Sequence, residues 1–404
     1  MTGVTDLVES VHATVTRPAG RPRRTGGVAG WVYRAVRGGA RGVGRAVDAG
    51  LSIPDRLRGD TRPALPAGGA ARDAAVAALN GVLGDDLAAN GNPLAIETQV
   101  RWAGRPLALD ADAVAGAIPE PSDVVLVLVH GICMHDGQWG SEDHDPGDAL
   151  AAGLGATLVA LRYNSGRHIS ESGRDVADVL EDLVGAWPRP VHRLVIVGHS
   201  MGGLVARSAL DAAAEAGHGW PDRDVALVML GSPHHGAPLE RLGNGLDALL
   251  GATRWTAPYA RVGQVRSAGV TDLRFGSVHD DDWAGRDRFA RGPDRRRHVP
   301  LPEGVACYVV AASLADGRGG VRDRTVGDGL VPLDSALGRH PDPARTLAIP
   351  PDRQWVATGM THFDLIRSPA VTAQVLRWLT ASAEGGEARP PGADGQRADA
   401  RPAR

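Results

Sequence analysis

Apolar residues along this chain gather into short, β-branched runs separated by longer amphipathic stretches. Strands are read at Val124 to Val129, Thr157 to Arg162, Arg193 to Val197, Val225 to Leu230, Val305 to Ala311 and Thr346 to Ile349. Runs this short and this continuously apolar suit strands covered on both faces. Helical periodicity falls at 71–89, Ser170 to Trp187 and Met201 to Ala216. Ahead of these strands, Ile96 to Trp102 and Pro106 to Leu109 alternate across Ala103-Gly104-Arg105 like a β-hairpin. The expected fold class is α/β, a mostly parallel twisted sheet with helices on both faces. The rhythm breaks once, between Leu230 and Val305. A cap or lid inserted over 236–300 is expected there, built from segments such as Leu239 to Leu250 and Pro258 to Ala268.

Composition divides the 404 residues into three zones. Residues 1–69 are rich in Gly, Pro and Arg, residues 70–382 form the expected globular domain, and 383–404 read as a disordered tail poor in large apolar residues. In the first zone Val28, Val32, Val36, Val43, Val47 and Leu51 share one helical face, and Arg34, Arg37, Arg41 and Arg45 the other. Residues 28–51 are therefore a candidate for peripheral contact with an anionic membrane; packing on the globular domain is the alternative. The four glycines between Gly38 and Gly44 weaken such a helix.

Charge excludes one class of function and cysteine usage another. A net charge of −3 argues against a dedicated nucleic-acid binder. Cys133 and Cys307, the only cysteines, are spaced neither as a disulfide framework nor as a metal site. No apolar stretch is long enough to span a bilayer and the N-terminus lacks a secretory apolar segment, so the expected location is cytoplasmic, with the membrane surface as the added candidate. Nothing in the sequence specifies an oligomeric state.

The chemistry concentrates at VHRLVIVGHSMGGLVARSAL, residues 191–210, where Ser200 stands between Gly198 and Gly202 at a strand-to-helix junction. A chain reversing within a few residues leaves no room for side chains beside the serine, which explains the G-x-S-x-G spacing; Gly203 lets the helix approach the strand. The turn would present the hydroxyl at a helix N-terminus, where unpaired N–H groups favour developing negative charge. With 54 glycines in the chain the pattern by itself is loose, and partners must support it. A serine nucleophile needs a base, an orienting acid and oxyanion donors. His362, in GMTHFDLIRS, and Asp328, in VGDGLVPLDS between Gly327 and Gly329, are the candidates, each following a strand. A turn aspartate and a helix-terminal histidine are the structural alternatives, and Asp316, Asp323, Asp334 and His340 are competitors. The backbone N–H groups of Ile132, after His130-Gly131, and of Met201 are candidate oxyanion donors. His130 reads as an architectural residue.

These residues sit in segments that resemble the lipase and esterase branch of the α/β-hydrolase superfamily, which includes bacterial lipases and GPI-inositol deacylase-like proteins. The resemblance rests on HGI at 130–132, GHSMGGLVAR at 198–207, LGSPHHGAPL at 230–239, GDGLVP at 327–332 and THFDL at 361–365, in family order. It implies an α/β-hydrolase fold and a serine carboxylester hydrolase acting on lipid or other acyl esters through an acyl-enzyme, without a cofactor. It assigns Ser200 as nucleophile, His362 as general base and acid, Asp328 as orienting acid and Ile132 and Met201 as oxyanion donors; it makes His234 and His235 supports of a pocket wall. Leu246, Leu249, Leu250, Trp255 and Tyr259 are candidates for an acyl pocket. HDDDW at 279–283, beside Arg286, Arg288 and Arg291, reads as a self-paired surface rather than a metal site. An acyltransferase with the same three residues, or a non-catalytic hydrolase-like binding protein, are the alternative functions.

Overall fold

The structure, a computed structural model, describes residues 69–237, 266–288, 293–315 and 327–384. The face from Val28 to Leu51, the five candidate acyl-pocket residues between 246 and 259, Arg291, Asp316, Asp323 and residues 385–404 lie outside the described residues.

One eight-stranded sheet organises the molecule. Its strands are β1 (Gln99–Trp102), β2 (Arg105–Pro106), β3 (Val124–Val129), β4 (Thr157–Arg162), β5 (Arg193–His199), β6 (Asp224–Leu230), β7 (Ala306–Ser313) and β8 (Gln354–Thr358). They run in the order β2-β1-β4-β3-β5-β6-β7-β8. β3 to β8 are parallel, and β1 pairs antiparallel with both β2 and β4. The hairpin turn is two residues, Ala103 at φ 46° and Gly104 at φ 73°. Two left-handed residues in succession match the right-handed twist of the flanking strands.

Period-two alternation divides the apolar side chains between the faces. Val125, Val127, Val129, Leu194 and Ile196 enter one core, and Leu126, Leu128, Val195 and Val197 the other. The first core is covered by α4 (Ile169–Ala186) and α5 (Met201–Ala216), through residues such as Val176, Leu180, Leu204 and Val205. The second is covered by α3 (Pro146–Leu154) and α8 (Pro369–Glu384), through Leu150, Val371, Val375 and Leu379. Among the described residues two further helices precede β3: α1 (Ala70–Ala89) and α2 (Ala111–Ala117), the latter capped by Asp110 accepting from the Ala113 N–H. No described helix is long and apolar enough to cross a membrane.

Two sequence expectations need correction. The segment Thr346 to Ile349 is not a strand; the last strand is β8, further along. Leu347 and Ile349 are buried in the first core, which accounts for their apolar alternation, but the chain turns at Pro350-Pro351 instead of joining the ladder. β8 is an edge strand, half-buried over Gln354, Trp355 and Val356, so it lacks the continuous apolar signature of its neighbours. The second arm of the hairpin is also shorter than the reading of Pro106 to Leu109: only Arg105 and Pro106 pair, and Leu107 adds one hydrogen bond to Val100 O.

Residues 231–305 separate β6 from β7. Within them the short helix α6 (Ala268–Asp272) lies against α1 and α4. Ser267 Oγ donates to Gly81 O at 2.6 Å and the Ala268 N–H to Asp85 at 2.9 Å. Asp272, at the end of α6, accepts from His168 Nδ1 at 3.0 Å, and the His168 ring stacks on Trp283 at 3.8 Å.

Candidate active site

Ser200 joins β5 directly to α5 with φ 53° and ψ −122°, a conformation that side-chain-bearing residues rarely adopt. Such a backbone costs about 1–3 kcal/mol and persists only where its surroundings enforce it. Here two backbones enforce it. The Ser200 N–H donates to Leu230 O at 2.8 Å, tying the turn to the end of β6. On the other side Gly202 lies against the end of β3: a Cβ there would come within 2.6 Å of His130 O and closer still to Val129 O. A Cβ on Gly198 would stand 2.6 Å from Gly203 Cα, so strand and helix touch across the turn. The Ser200 side chain does not cap the helix it precedes.

The structure brings Asp328 and His362 into contact. His362 Nδ1–H donates to Asp328 Oδ2 at 2.6 Å, and both side chains are buried. Oδ1 accepts from the N–H groups of Leu330 and Val331 at 2.9 and 2.8 Å. Asp328 is thus a turn aspartate and a histidine partner at once, each oxygen serving one role. Gly327 and Gly329, at φ 56° and 94°, shape the turn. Among the competitors, Asp334 opens the short helix α7 (Leu333–Ala336), and the His340 ring packs 4.9 Å from His235 instead.

Gly231 links this pair to the serine. It follows Leu230, the residue that holds the Ser200 N–H, and a Cβ on it would lie 3.1 Å from His362 Cε1. His199, the neighbour of Ser200, reinforces the arrangement: its Nε2–H donates to His362 O at 3.2 Å and its ring lies 4.8 Å from the His362 ring. Full burial pushes the His199 imidazole well below its usual range, and the proximity of His362 adds to the effect.

The loop after β3 carries Ile132. His130 Nδ1–H donates to Gly131 O at 2.8 Å, Nε2 accepts from the Tyr163 N–H at 3.4 Å, and Tyr163 Oη donates to His130 O at 2.7 Å. The two rings stack at 4.3 Å. Burial lowers the His130 pKa to about 4, so the imidazole is neutral and acts as a fixed brace. Further along, Asp136 is gripped by Arg101, at 2.7 Å, and by Arg162, which also reaches Asp73 at 2.9 Å. Gly131 faces the serine directly, a Cβ on it falling 3.3 Å from Ser200 Cβ. Among the described residues neither the Ile132 nor the Met201 N–H has a hydrogen-bond partner.

Sequence reasoning passed over His199, Tyr163 and the Arg101–Asp136–Arg162 cluster. Their roles depend on register between strands distant in sequence, and no local pattern signals them. The SPHHG segment is anchored to the stretch around α7: the His234 N–H donates to Ser335 O at 3.2 Å and His235 Nε2–H to Gly338 O at 3.0 Å. In HDDDW, Asp280 pairs with Arg174 and Asp282 accepts from the Arg297 N–H. Asp211, Glu215 and His279 bring ligand atoms within 4.8 Å of one another, but Arg297 occupies the group, 2.7 Å from His279 Nε2 and 3.7 Å from Glu215. Both cysteines are free and buried.

A parallel sheet flanked on both faces, a strained serine between its central strand and the next helix, and loops converging at the strand ends define an α/β-hydrolase fold. More particularly, residues 162–295 match the family model of the PGAP1-like alpha/beta domain. Ser200 lies inside that match; Asp328 and His362 lie beyond it. Among solved structures the chain is similar to the mature lipase BlEst2 of Bacillus licheniformis, at 19% identity over 65% of this chain and 94% of that one, with a TM-score of 0.40. It is also similar to the esterase Pf2001 of Pyrococcus furiosus (14% identity, 64% and 81% covered, TM-score 0.38) and to an esterase of Pyrobaculum calidifontis (16%, 81% and 96%, 0.38). No curated protein matches the chain.

Proposed function

We propose that this chain is a serine hydrolase of carboxylic esters, with lipid or other acyl esters as its substrate class, working through Ser200, His362 and Asp328. The observation that carries the reading is the buried His362–Asp328 hydrogen bond of 2.6 Å at the strand ends, together with the strained backbone of Ser200. Asp328 holds Nδ1 protonated and leaves Nε2 as the basic nitrogen. His362 takes the Ser200 proton as Oγ attacks the ester carbonyl, and the N–H groups of Ile132 and Met201 receive the charge that gathers on the carbonyl oxygen. Collapse of the tetrahedral adduct breaks the ester C–O bond, and His362 returns the proton to the departing alcohol. Water then enters, loses its proton to the same imidazole, and releases the acid. No step calls on a cofactor.

Labelling with a fluorophosphonate probe tests the nucleophile. Wild type is expected to take up label that disappears in Ser200→Ala; label that persists in the variant, or none in wild type, contradicts the reading. Release of p-nitrophenol from esters of increasing chain length then separates esterase from lipase, and transfer to an added alcohol would mark an acyltransferase.

A further inference from the structure

Among the described residues three other than glycine take a positive φ: Ala103 in the β-hairpin, Ser200 before α5, and Cys133 at 59°. The first two follow from the turns already described. Cys133 belongs to another turn, in which the Met134 N–H donates to Gly131 O at 3.3 Å. With Cys133 as its third residue the turn has the arrangement of type II, where that position favours glycine. Gly131 O also accepts from His130 Nδ1–H at 2.8 Å. A trans peptide sets its N–H opposite its carbonyl, so the two donors on Gly131 O fix the direction of the Ile132 N–H.

A glycine at 133 would take this backbone without strain, but it would forfeit a contact with α1. The Cys133 side chain packs in a small cluster with Ala78 and Val82, its Sγ–H donating to Ala78 O at 3.9 Å, and Ile132 lies half-buried against the same cluster. Gly81 lets the helix come this close: a Cβ there would collide with Sγ and stand 2.8 Å from Cys133 Cα and 2.9 Å from its nitrogen. Ser165, buried in the loop after β4, adds a second hold, its Oγ accepting from the Cys133 N–H at 3.0 Å. That loop is itself clamped to α1. Asn164 Nδ2–H donates to Gly84 O at 2.9 Å, and a Cβ on Gly166 would stand 2.7 Å from Gly84 N. We infer that Gly81 and Cys133, at the crossing with α1, and Ser165 are positioning residues for the oxyanion turn, acting through the Ile132 N–H without touching substrate; this rests on the hydrolase reading above. The peptides on both sides of Ile132 are held, one by its carbonyl and the other by its N–H, so the donor is oriented in advance for charge that exists only in the transition state. Loosening either hold therefore lowers kcat and spares KM. α1 precedes residues 162–295, the part of the chain that the family model matches.

The test combines active-site titration of the full chain by a fluorophosphonate probe with steady-state hydrolysis of a p-nitrophenyl ester, which together give kcat per labelled site. Ser165→Ala, which removes one oxygen, and Gly81→Ala, which drives α1 against the Cys133 backbone, are each expected to lower kcat per site about tenfold or more, with KM within about twofold of wild type. An unchanged kcat per site in Ser165→Ala, even with fewer sites labelled or a lower melting temperature, overturns the inference and leaves the contacts purely structural. A change confined to KM overturns it as well. Should Gly81→Ala fail to fold, Ser165→Ala decides alone. Wild type that takes no label at Ser200 overturns the hydrolase reading and the inference with it, whereas labelled, active variants with wild-type kcat overturn the inference only.

Discussion

Gly202→Ala probes the closest backbone approach in the site. The added methyl would meet His130 O at 2.6 Å, with Val129 O nearer still. A carbon and a carbonyl oxygen rest at about 3.3 Å, so the start of α5 and the end of β3 must part by roughly 1 Å to accept it. Neither obstacle is a flexible side chain; both are main-chain oxygens of a central strand and its loop. The same movement separates the Met201 N–H from the Ile132 N–H, the two donors proposed to share one oxyanion. Misplacement of about 1 Å costs on the order of 10²-fold in rate, comparable to removal of one oxyanion donor, about 3 kcal/mol. The accompanying loss of stability is about 1–3 kcal/mol. Steady-state hydrolysis of a p-nitrophenyl ester is expected to show kcat reduced about a hundred-fold with KM little changed, and the urea midpoint lowered. Gly185→Ala, exposed within α4 with nothing within 4 Å, is the control; it should leave kcat intact and raise stability by roughly 0.5–1 kcal/mol. A Gly202→Ala enzyme with kcat within threefold of wild type and an unmoved midpoint would refute the steric argument.

Two further outcomes follow from the same geometry. Asp328→Asn is expected to reduce kcat by about 10⁴-fold, because an amide in that position no longer fixes the reactive tautomer of His362, whereas Asp334→Asn should be nearly silent; the reverse ranking would reassign the acid. Stability should also decline on acidification. His130, with its pKa lowered from 6.5 to about 4, stays neutral in the fold while the unfolded chain protonates. The protection is whole above about pH 6.5 and is lost as pH falls towards 4, amounting to about 3.5 kcal/mol for a shift of about 2.5 at roughly 1.4 kcal/mol per pH unit. The buried His199 and His234 contribute in the same direction. Urea midpoints that do not move between pH 7 and pH 4.5 would contradict this.

Local pattern was enough wherever a segment's burial is the same on both sides. β3, β5, β6 and β7 are interior strands covered by helices on both faces, so each appears as an unbroken apolar run. β8, with a neighbour on one side only, was legible in neither position nor length, and the buried pair Leu347 and Ile349 imitated it. The helices α3 and α8, short or cut by polar residues, also escaped the reading. The glycines around Ser200 could be recognised because the requirement for a missing side chain is absolute at a tight crossing; a Cβ at Gly198 or Gly202 has no space to enter.

Contacts between distant segments could not be recognised in this way. Sequence by itself determined the alternation of strands and helices, and it singled out Ser200, Asp328 and His362 as candidates through the residues flanking each. Only the tertiary structure decided that Asp328 divides its two oxygens between a turn and His362, that His199 donates a hydrogen bond to the backbone of that histidine, and that Asp136 lies between Arg101 and Arg162. It alone placed Arg207, buried, beside His234 and Val299 O. The reason is range. Steric demands and hydrophobic periodicity act over a few residues and leave a local trace, whereas the partner of a buried charge is chosen by the register of a sheet whose strands lie far apart in the chain.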